Sequence, residues 1–326
     1  MTTQIVIGLS AVIVALHEGE ACVLTVRPRA GGAASPLPGL PFGPFDPDGH
    51  RTFELALREF VTRQTRFELG YVEQLYTFGD KGRDAPLADV GAGAARVISV
   101  GYLALAPVAV DTLPDTAWSR LASFFPWEDW RNGRPALIDQ VIAPALSAWA
   151  GASVERRSLA ASLFALDGAP WNEEGVLDRY ELLYEAGLAS EAGRDRALAA
   201  NGPSRPRSQP GGSDQALGEP MISDHRRILA TALARLRGKL KYRPVIFELM
   251  GETFTLSNLQ RAVEAVAGLT LHKPNFRRGV ERTGLVEGLG RMDAAAGGRP
   301  AELFSFRRAR LGARPALGLP LPRLRD

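Results

Sequence analysis

The sequence predicts an α+β protein in at least two parts: a mixed sheet-and-helix domain with a helical insertion, then a basic helical module closed by a β-hairpin. Three observations carry this reading. The 326 residues exceed one ordinary domain. Short Val- and Ile-rich runs dominate up to about residue 135, after which apolar residues recur at helical spacing. Charge is divided just as unevenly: residues 216–326 hold 20 Lys and Arg against 10 Asp and Glu, and the remainder 19 against 26, so a net of +3 conceals +10 and −7. A basic end on an acidic body is the electrostatic layout of a nucleic-acid-binding module joined to something else; an arginine-rich coding bias is the plainer alternative, and the acidic first part argues against it.

The first elements are strands. Ile5–Leu16 and Ala21–Val26 flank the turn-like His17-Glu18-Gly19-Glu20 and read as two strands joined by a turn. Ile5–Leu16 has neither a basic leader nor a small-residue cleavage site, and it is too short to span a bilayer, so no signal peptide or membrane anchor is expected. Leu69–Phe78 and Arg96–Ala106 read as further strands. Between them, Arg51–Thr65 reads as a helix with Phe53, Leu57, Phe60 and Val61 on one face. The single cysteine, Cys22, excludes an internal disulfide and a cysteine-held zinc, and it suits a cytoplasmic location. His17, His50, His225 and His272 show no ligand spacing, so any metal site would need carboxylates.

Residues 136–200 read as a helical insertion. Its stripes are Ile138, Val141, Ile142 and Leu146, then Leu159, Leu163 and Leu166, then Leu177, Tyr180, Leu183 and Tyr184. Residues 201–221 have the Gly-, Pro- and Ser-rich composition of a flexible linker. The expected division is therefore 1–135 for the mixed domain, 136–200 for the insertion, 201–221 for the linker and 222–326 for the basic module.

In that last module Ser223 is a plausible N-cap for a helix over Ser223–Lys241, with Ile228, Leu229, Leu233, Leu236 and Leu240 inward. Thr255 caps a second helix, Leu256–Ala267, which buries Leu259, Val263 and Val266 and stops at Gly268. The turn Leu269–Pro274 leads to a third helix, Asn275–Thr283, and then to strands Leu285–Leu289 and Leu303–Phe306 around the loop Gly290–Pro300. Helix, helix, turn, helix, hairpin is the order of a winged helix-turn-helix. Lys273, Asn275, Arg277, Arg278 and Arg282 mark the third helix as the recognition helix, because Arg and Asn fit guanine and adenine edges in the major groove. Phe276 and Val280 would hold it to its domain. Thr255 and Ser257 at the start of the preceding helix, with Arg291 and Arg299 in the wing, complete the expected DNA contacts. The alternative is a solvated basic face that binds protein or RNA without preference for a duplex sequence.

The helix around Arg58-Glu59-Phe60 resembles the Nudix box, G-x5-E-x7-R-E-U-x-E-E-x-G-U, whose glutamates gather on one helical face to hold Mg2+. Aligned on those three residues, the first glycine is Pro44, the first glutamate His50, the two metal-binding glutamates Thr62 and Arg63, and the closing glycine Thr65. Arg63 would place a cation where the metal belongs. A dead box and no metal are expected, and the surviving Arg58 and Glu59 are either ligand contacts or an ordinary helix salt bridge.

Further segments resemble Nudix-related regulators of NAD metabolism of the NrtR and NadQ types. They are Tyr76-Thr77-Phe78-Gly79-Asp80, Arg83-Asp84, Arg96–Ala104, Asp224-His225, Phe254-Thr255-Leu256, Asn275-Phe276-Arg277-Arg278 and Gly298-Arg299-Pro300-Ala301. The insertion and the degraded box look more like the NadQ branch. The resemblance implies a Nudix-like α/β/α sandwich followed by the winged helix. It further implies a homodimeric repressor of NAD-biosynthesis genes that binds palindromic double-stranded operator DNA and responds to a nucleotide effector: ADP-ribose in the NrtR type, NAD or ATP in the NadQ type. Arg27 and Arg29 would then meet phosphates, with Tyr76 and Phe78 stacking on the base; the plainer reading makes the first two surface residues and the last two core. The competing enzyme reading is a Nudix hydrolase of a nucleoside diphosphate derivative.

Overall fold

The computed structural model describes residues 5–27, 29–30, 33–35, 37–80, 96–107, 113–201, 217–293 and 300–308. Strand β1 (Ile5–His17) is the spine of the first domain. It turns at Glu18 and Gly19, both at positive φ, into antiparallel β2 (Glu20–Val26), with Val14 opposite Val23. Two short pieces, β3 (Arg29–Ala30) and β4 (Ala33–Ala34), pair with each other, and β5 (Phe42–Pro44) pairs with β1. After helix α1 (Phe53–Thr65) come β6 (Tyr71–Phe78), β7 (Arg96–Ala106) and β8 (Thr116–Arg120), giving the sheet order β6-β7-β1-β2-β8. β7 runs parallel to β1 over eleven residue pairs.

Burial of the sheet on both faces explains why β1 is an unbroken apolar run rather than an alternating one. Leu9, Ala11, Ile13 and Ala15 face α1 with Leu57, Phe60 and Val61, whereas Val12 and Val14 belong to the core on the opposite face. Thr52 caps α1 by accepting the Leu55 N–H at 3.2 Å, and Arg66 ends it in the left-handed conformation at φ 57°.

The opposite face is covered by α7 (His225–Leu240), through Ile228, Leu229, Leu233 and Leu236. This helix, expected in the DNA-binding module, is thus the second outer layer of the sandwich. Two further expectations at its start are corrected. Ser223 is not the N-cap: it is buried at φ 46°, and Asp224 takes the cap position without a side-chain capping bond. Nor is the chain before it loose where it is described. Leu217, Met221 and Ile222 are buried, Glu219 N–H reaches Ser123 O at 2.8 Å and Ile222 N–H reaches Pro38 O at 3.0 Å; residues 202–216 lie outside the described residues.

His225 is fully buried and its Nδ1 accepts the Leu40 N–H at 2.9 Å. Burial, and secondarily the charge of Arg194, holds its pKa down at about 3, from 6.5. The folded chain therefore keeps the ring neutral where the unfolded chain takes up a proton, so this stability is complete above about pH 6.5 and lost as pH falls toward 3. The slope is roughly 1.4 kcal/mol per pH unit. Urea midpoints taken from pH 7 to 5 should fall more steeply than those of His225→Asn, whose Oδ1 replaces the acceptor; equal slopes would refute the assignment.

Between β8 and α7 lie α2 (Leu121–Phe124), a 3-10 turn at Pro126–Glu128, and a helical stretch. That stretch comprises a π turn at Ile138–Ile142 running into α3 (Ala143–Ala150), then α4 (Val154–Phe164), α5 (Val176–Glu185) and α6 (Ser190–Asn201). In α4 the buried side chains are Ala160 and Phe164, while Leu159 of the expected stripe is exposed.

A share of the C-terminal positive charge is neutralised inside this assembly. Glu128 accepts from Arg179 Nε at 2.5 Å and Nη2 at 2.9 Å, and from Arg237 Nη1 at 2.5 Å, all three side chains being buried. Arg226 pairs with Glu191 at 3.3 Å, Arg227 with Glu181 at 2.6 Å, and Lys241 with Glu173 at 2.8 Å. Arg226, Arg227 and Arg237 of α7, with Lys241 at its end, are thus engaged by carboxylates of the sheet domain and the helical stretch.

The last unit starts with a 3-10 turn at Val245–Leu249 and β9 (Thr253–Thr255), followed by α8 (Leu256–Ala267), α9 (Lys273–Thr283), β10 (Val286–Asp293) and β11 (Ala301–Phe306). Its sheet order is β10-β11-β9; β9 was not anticipated, because three residues carry no readable period. The unit docks through the end of α8. Trp130 N–H donates to Gly268 O at 2.7 Å, and Thr270 Oγ1 to Arg131 O at 2.6 Å. Gly268 has φ 70°, and a Cβ there would lie 2.2 Å from Glu128 O, so the approach requires glycine.

Candidate nucleic-acid interface and sensor pocket

Helix α9 begins at Lys273, two residues before the expected start, because Pro274 in the first turn has no N–H to leave unpaired and its fixed φ suits the helix. Phe276, Gly279 and Val280 are buried and seat the helix. Asn275, Arg278 and Arg282 fall at i, i+3 and i+7 on an exposed face. Arg278 Nη2 donates to Asn275 Oδ1 at 2.7 Å, so the two side chains are already side by side. Together with Glu281 they border one open depression. Lys273 is exposed just before them.

Three of the expected DNA contacts have internal partners instead. Thr255 is buried and its hydroxyl accepts the Asn258 N–H at 3.1 Å, so it acts as the cap of α8. Arg277 is half-buried and donates to Ser257 Oγ at 3.3 Å, tying α9 to α8. A residue two positions from Asn275 points away from its face of the helix. Arg291 is exposed, but on strand β10, which continues four residues past the expected end at Leu289; Arg299 lies outside the described residues. On α8, Asn258 and Arg261 are exposed one turn apart, and Arg261 Nη2 donates to Asn258 Oδ1 at 2.5 Å.

In the sandwich domain the N-terminal turn of α1 meets β6 and β7. Thr52, Phe53, Glu54, Val72, Gln74 and Tyr102 line an open cavity of about 350 Å3. Tyr102 OH donates to Gln74 Oε1 at 3.4 Å, and burial pushes the Tyr102 pKa up, so the phenol is a neutral donor. A wall of hydroxyl, amide and carboxylate groups with Phe53 and Val72 suits a polar ligand with one flat or apolar part.

The residues expected to bind ligand are dispersed around this cavity. Arg58 donates to Glu54 Oε1 at 2.8 Å and to Gly70 O at 3.1 Å, bracing a lining residue from behind. Glu59 pairs with Arg63, one turn on, at 3.6 Å, and His50 Nε2 lies 3.3 Å from its carboxylate. Tyr76 is exposed, 5.4 Å from Phe78 edge-on. Phe78 is a core side chain, with Arg227 over its ring at 5.5 Å, so it offers no stacking face. Arg27 is exposed and donates to Ser35 O at 3.3 Å, away from the cavity lining; the Arg29 side chain lies outside the described residues. Among the described residues no three His, Cys, Asp or Glu side chains gather as a metal site would require, and no helix is long and apolar enough to cross a membrane.

Comparison with known proteins follows the same division. Residues 246–306, from the 3-10 turn through β11, match the family described as the NrtR DNA-binding winged helix domain. Over 93 residues the chain is 39% identical to the "ADPR responsive transcriptional repressor NtrR" of Acinetobacter baylyi; the match covers 28% of this chain and 37% of that relative's length. Across nearly the whole chain the fold is similar to that of Shewanella oneidensis NrtR complexed with a 27mer DNA, at TM-score 0.53 and 20% identity, covering 94% of this chain and 96% of that one. A MutT/nudix family protein from Enterococcus faecalis is similar at TM-score 0.50 and 14% identity, covering 94% and 88%. The fold is therefore a Nudix-like mixed-sheet domain with helices, followed by a C-terminal winged helix.

Proposed function

We propose that this protein is a transcriptional repressor of the NrtR type, a Nudix-related regulator whose sandwich domain senses a nucleotide and whose winged helix binds palindromic operator DNA. One observation carries the reading. The segment that matches the NrtR DNA-binding domain presents Asn275, Arg278 and Arg282 on one exposed face of its third helix, with Phe276 and Val280 fixing that face outward.

The effector proposed is ADP-ribose, which the name of the Acinetobacter baylyi relative specifies for that protein. NAD and ATP are the alternatives, which a NadQ-like reading of the helical stretch over 138–201 and of the degraded box would favour. The Thr52–Tyr102 cavity is the proposed site. Its walls supply the polar contacts an adenine nucleotide needs, beside the helix that binds diphosphate in active Nudix domains. The same helix argues against hydrolysis, since Thr62 and Arg63 stand where two metal-binding glutamates are required and Glu59 is engaged by Arg63 and His50. A homodimer would match two winged helices to two half-sites, and NAD-biosynthesis promoters in the cytoplasm would be the targets.

Fluorescence anisotropy tests this directly, on a palindromic duplex from an NAD-biosynthesis promoter and a scrambled control at one salt concentration, with and without ADP-ribose, NAD and ATP. The palindrome should bind at least a hundredfold more tightly than the control, and one nucleotide should change that affinity severalfold. Equal affinity for both duplexes with no nucleotide effect would overturn the proposal, and Mg2+-dependent cleavage of ADP-ribose would favour the hydrolase.

A further inference from the structure

We infer that the C-terminal turn of α7 carries effector occupancy to the DNA-binding domain, with Glu73 and Lys239 as the positioning pair on its sensor side and Arg237 on its output side. The inference rests on the reading of the Thr52–Tyr102 cavity as the effector site.

Strand β6 provides the first link. Successive side chains of a strand point to opposite faces, and in β6 the two faces have different tasks. Val72 and Gln74 line the cavity. Tyr71 and Glu73, the residues between and beside them, reach α7 on the other side of the sheet. Tyr71 OH donates to Glu73 Oε2 at 2.6 Å, and Lys239 donates to Tyr71 OH at 3.1 Å and to Glu73 Oε2. Arg235 Nη1 lies 3.6 Å from the other Glu73 oxygen. A ligand that presses on Gln74 therefore displaces the backbone that carries the sole carboxylate on Lys239 among the described residues.

The second link is the helix. Successive residues of an α-helix are turned by about 100°, so Arg237 and Lys239, both in the last turn of α7, project to opposite sides of it. Two residues before Lys239, Arg237 donates from Nε to Val266 O at 2.9 Å and from Nη2 to Glu128 O at 3.2 Å. Val266 is in the last turn of α8, immediately before Gly268 and the turn into the recognition helix α9. The same guanidinium thus holds the end of α8 and the Glu128 carbonyl against which Gly268 packs. A small rotation or slide of α7 must be taken up there, because a buried guanidinium cannot give up these acceptors without leaving them unpaired. Both sides of this turn are half-buried or buried, which keeps the contacts from being replaced by solvent and makes the connection a discrete one.

The test measures coupling rather than binding. For the full chain and for Glu73→Gln, Lys239→Met and Lys239→Arg, the ADP-ribose Kd is measured by calorimetry. The Kd for the palindromic duplex is measured by anisotropy, with and without saturating ADP-ribose. In Glu73→Gln and Lys239→Met, ADP-ribose binding and nucleotide-free DNA binding should stay within threefold of the parent. The factor by which ADP-ribose changes DNA affinity should drop at least threefold, and Lys239→Arg should restore it. The Glu73→Gln/Lys239→Met double variant should lose no more than either single one, because both break one link. Unchanged coupling in variants that still bind ADP-ribose would overturn the role of α7 while leaving the sensor intact. If the parent chain does not bind ADP-ribose, or binds it at the cavity without effect on DNA, the sensor reading fails first and this one with it.

Discussion

Glu128→Ala should unfold at a markedly lower urea concentration than the parent, with a loss of about 3–5 kcal/mol, the usual cost of removing one partner from a buried ion pair. Glu128 is the shared carboxylate of Arg179 and Arg237, and all three side chains are buried. Burial lowers the proton affinity of Arg237 and Glu128 opposes that, so the cluster depends on the carboxylate. Without it, two guanidiniums would remain in the interior, holding only carbonyl oxygens such as Val266 O and Leu163 O. A loss of that size is a large part of a typical folding free energy of about 5–15 kcal/mol. The cluster joins the sheet domain to α5, α7 and α8, so the DNA-binding unit should also become more sensitive to limited proteolysis. A stability change below about 1 kcal/mol would mean that water or Glu173 takes over the site, and the cluster would not be a principal fastening.

Asn275→Ala and Arg278→Ala should each weaken binding to the specific duplex by roughly 5- to 150-fold, corresponding to about 1–3 kcal/mol for a bidentate base contact, while changing affinity for a scrambled duplex far less. Lys273→Ala should act oppositely, weakening both duplexes alike and reducing the salt slope by about one ion. Arg277→Ala provides the contrast within the same helix. Its guanidinium bonds to Ser257 and is half-buried, so its removal should lower the melting temperature before it alters base preference. Anisotropy titrations at two salt concentrations, with thermal melts of the same samples, separate these outcomes. If Arg277→Ala relaxes sequence preference and Arg278→Ala does not, the contacting face of α9 has been assigned to the wrong side.

Much of the architecture was legible because it is local. The Ile5–Leu16 run, broken by Gly19, fixes β1 and β2, and the stripe Leu259, Val263 and Val266 ending at Gly268 fixes α8 almost to the residue. The winged helix could be named from helix order and arginine placement, since capping, period and turn chemistry act over four or five residues. The identities of Thr62 and Arg63 at the positions aligned with the Nudix-box glutamates needed no coordinates. Element ends were less legible: β10 ran through Gly290 and Arg291 into the supposed loop, because pairing with β11 across the wing, rather than local propensity, sets its length.

The candidate sites were legible only in part, for the same reason of range. The candidate cavity is assembled from residues near 52, 73 and 102, three segments with no sequence relation until β6 and β7 pair beside α1. Arg58 and Glu59 were noticed because a motif contains them, yet they brace or pair rather than line. Tyr76 and Phe78, two residues apart, looked equivalent, but the register irregularity between Gln74 and Thr77 leaves one exposed and buries the other.

By itself, then, the sequence determined the type of nearly every long element and the winged-helix order, both of which depend on near neighbours. Tertiary structure decided where α7 belongs and which cations are free. An apolar stripe specifies that a helix face is buried but not what buries it, and α7 went to the sheet. An arginine's charge is readable, whereas its neutralisation by Glu128, Glu191 or Glu181 depends on carboxylates 35 to 109 residues away or on another helix, and only folding brings those into contact.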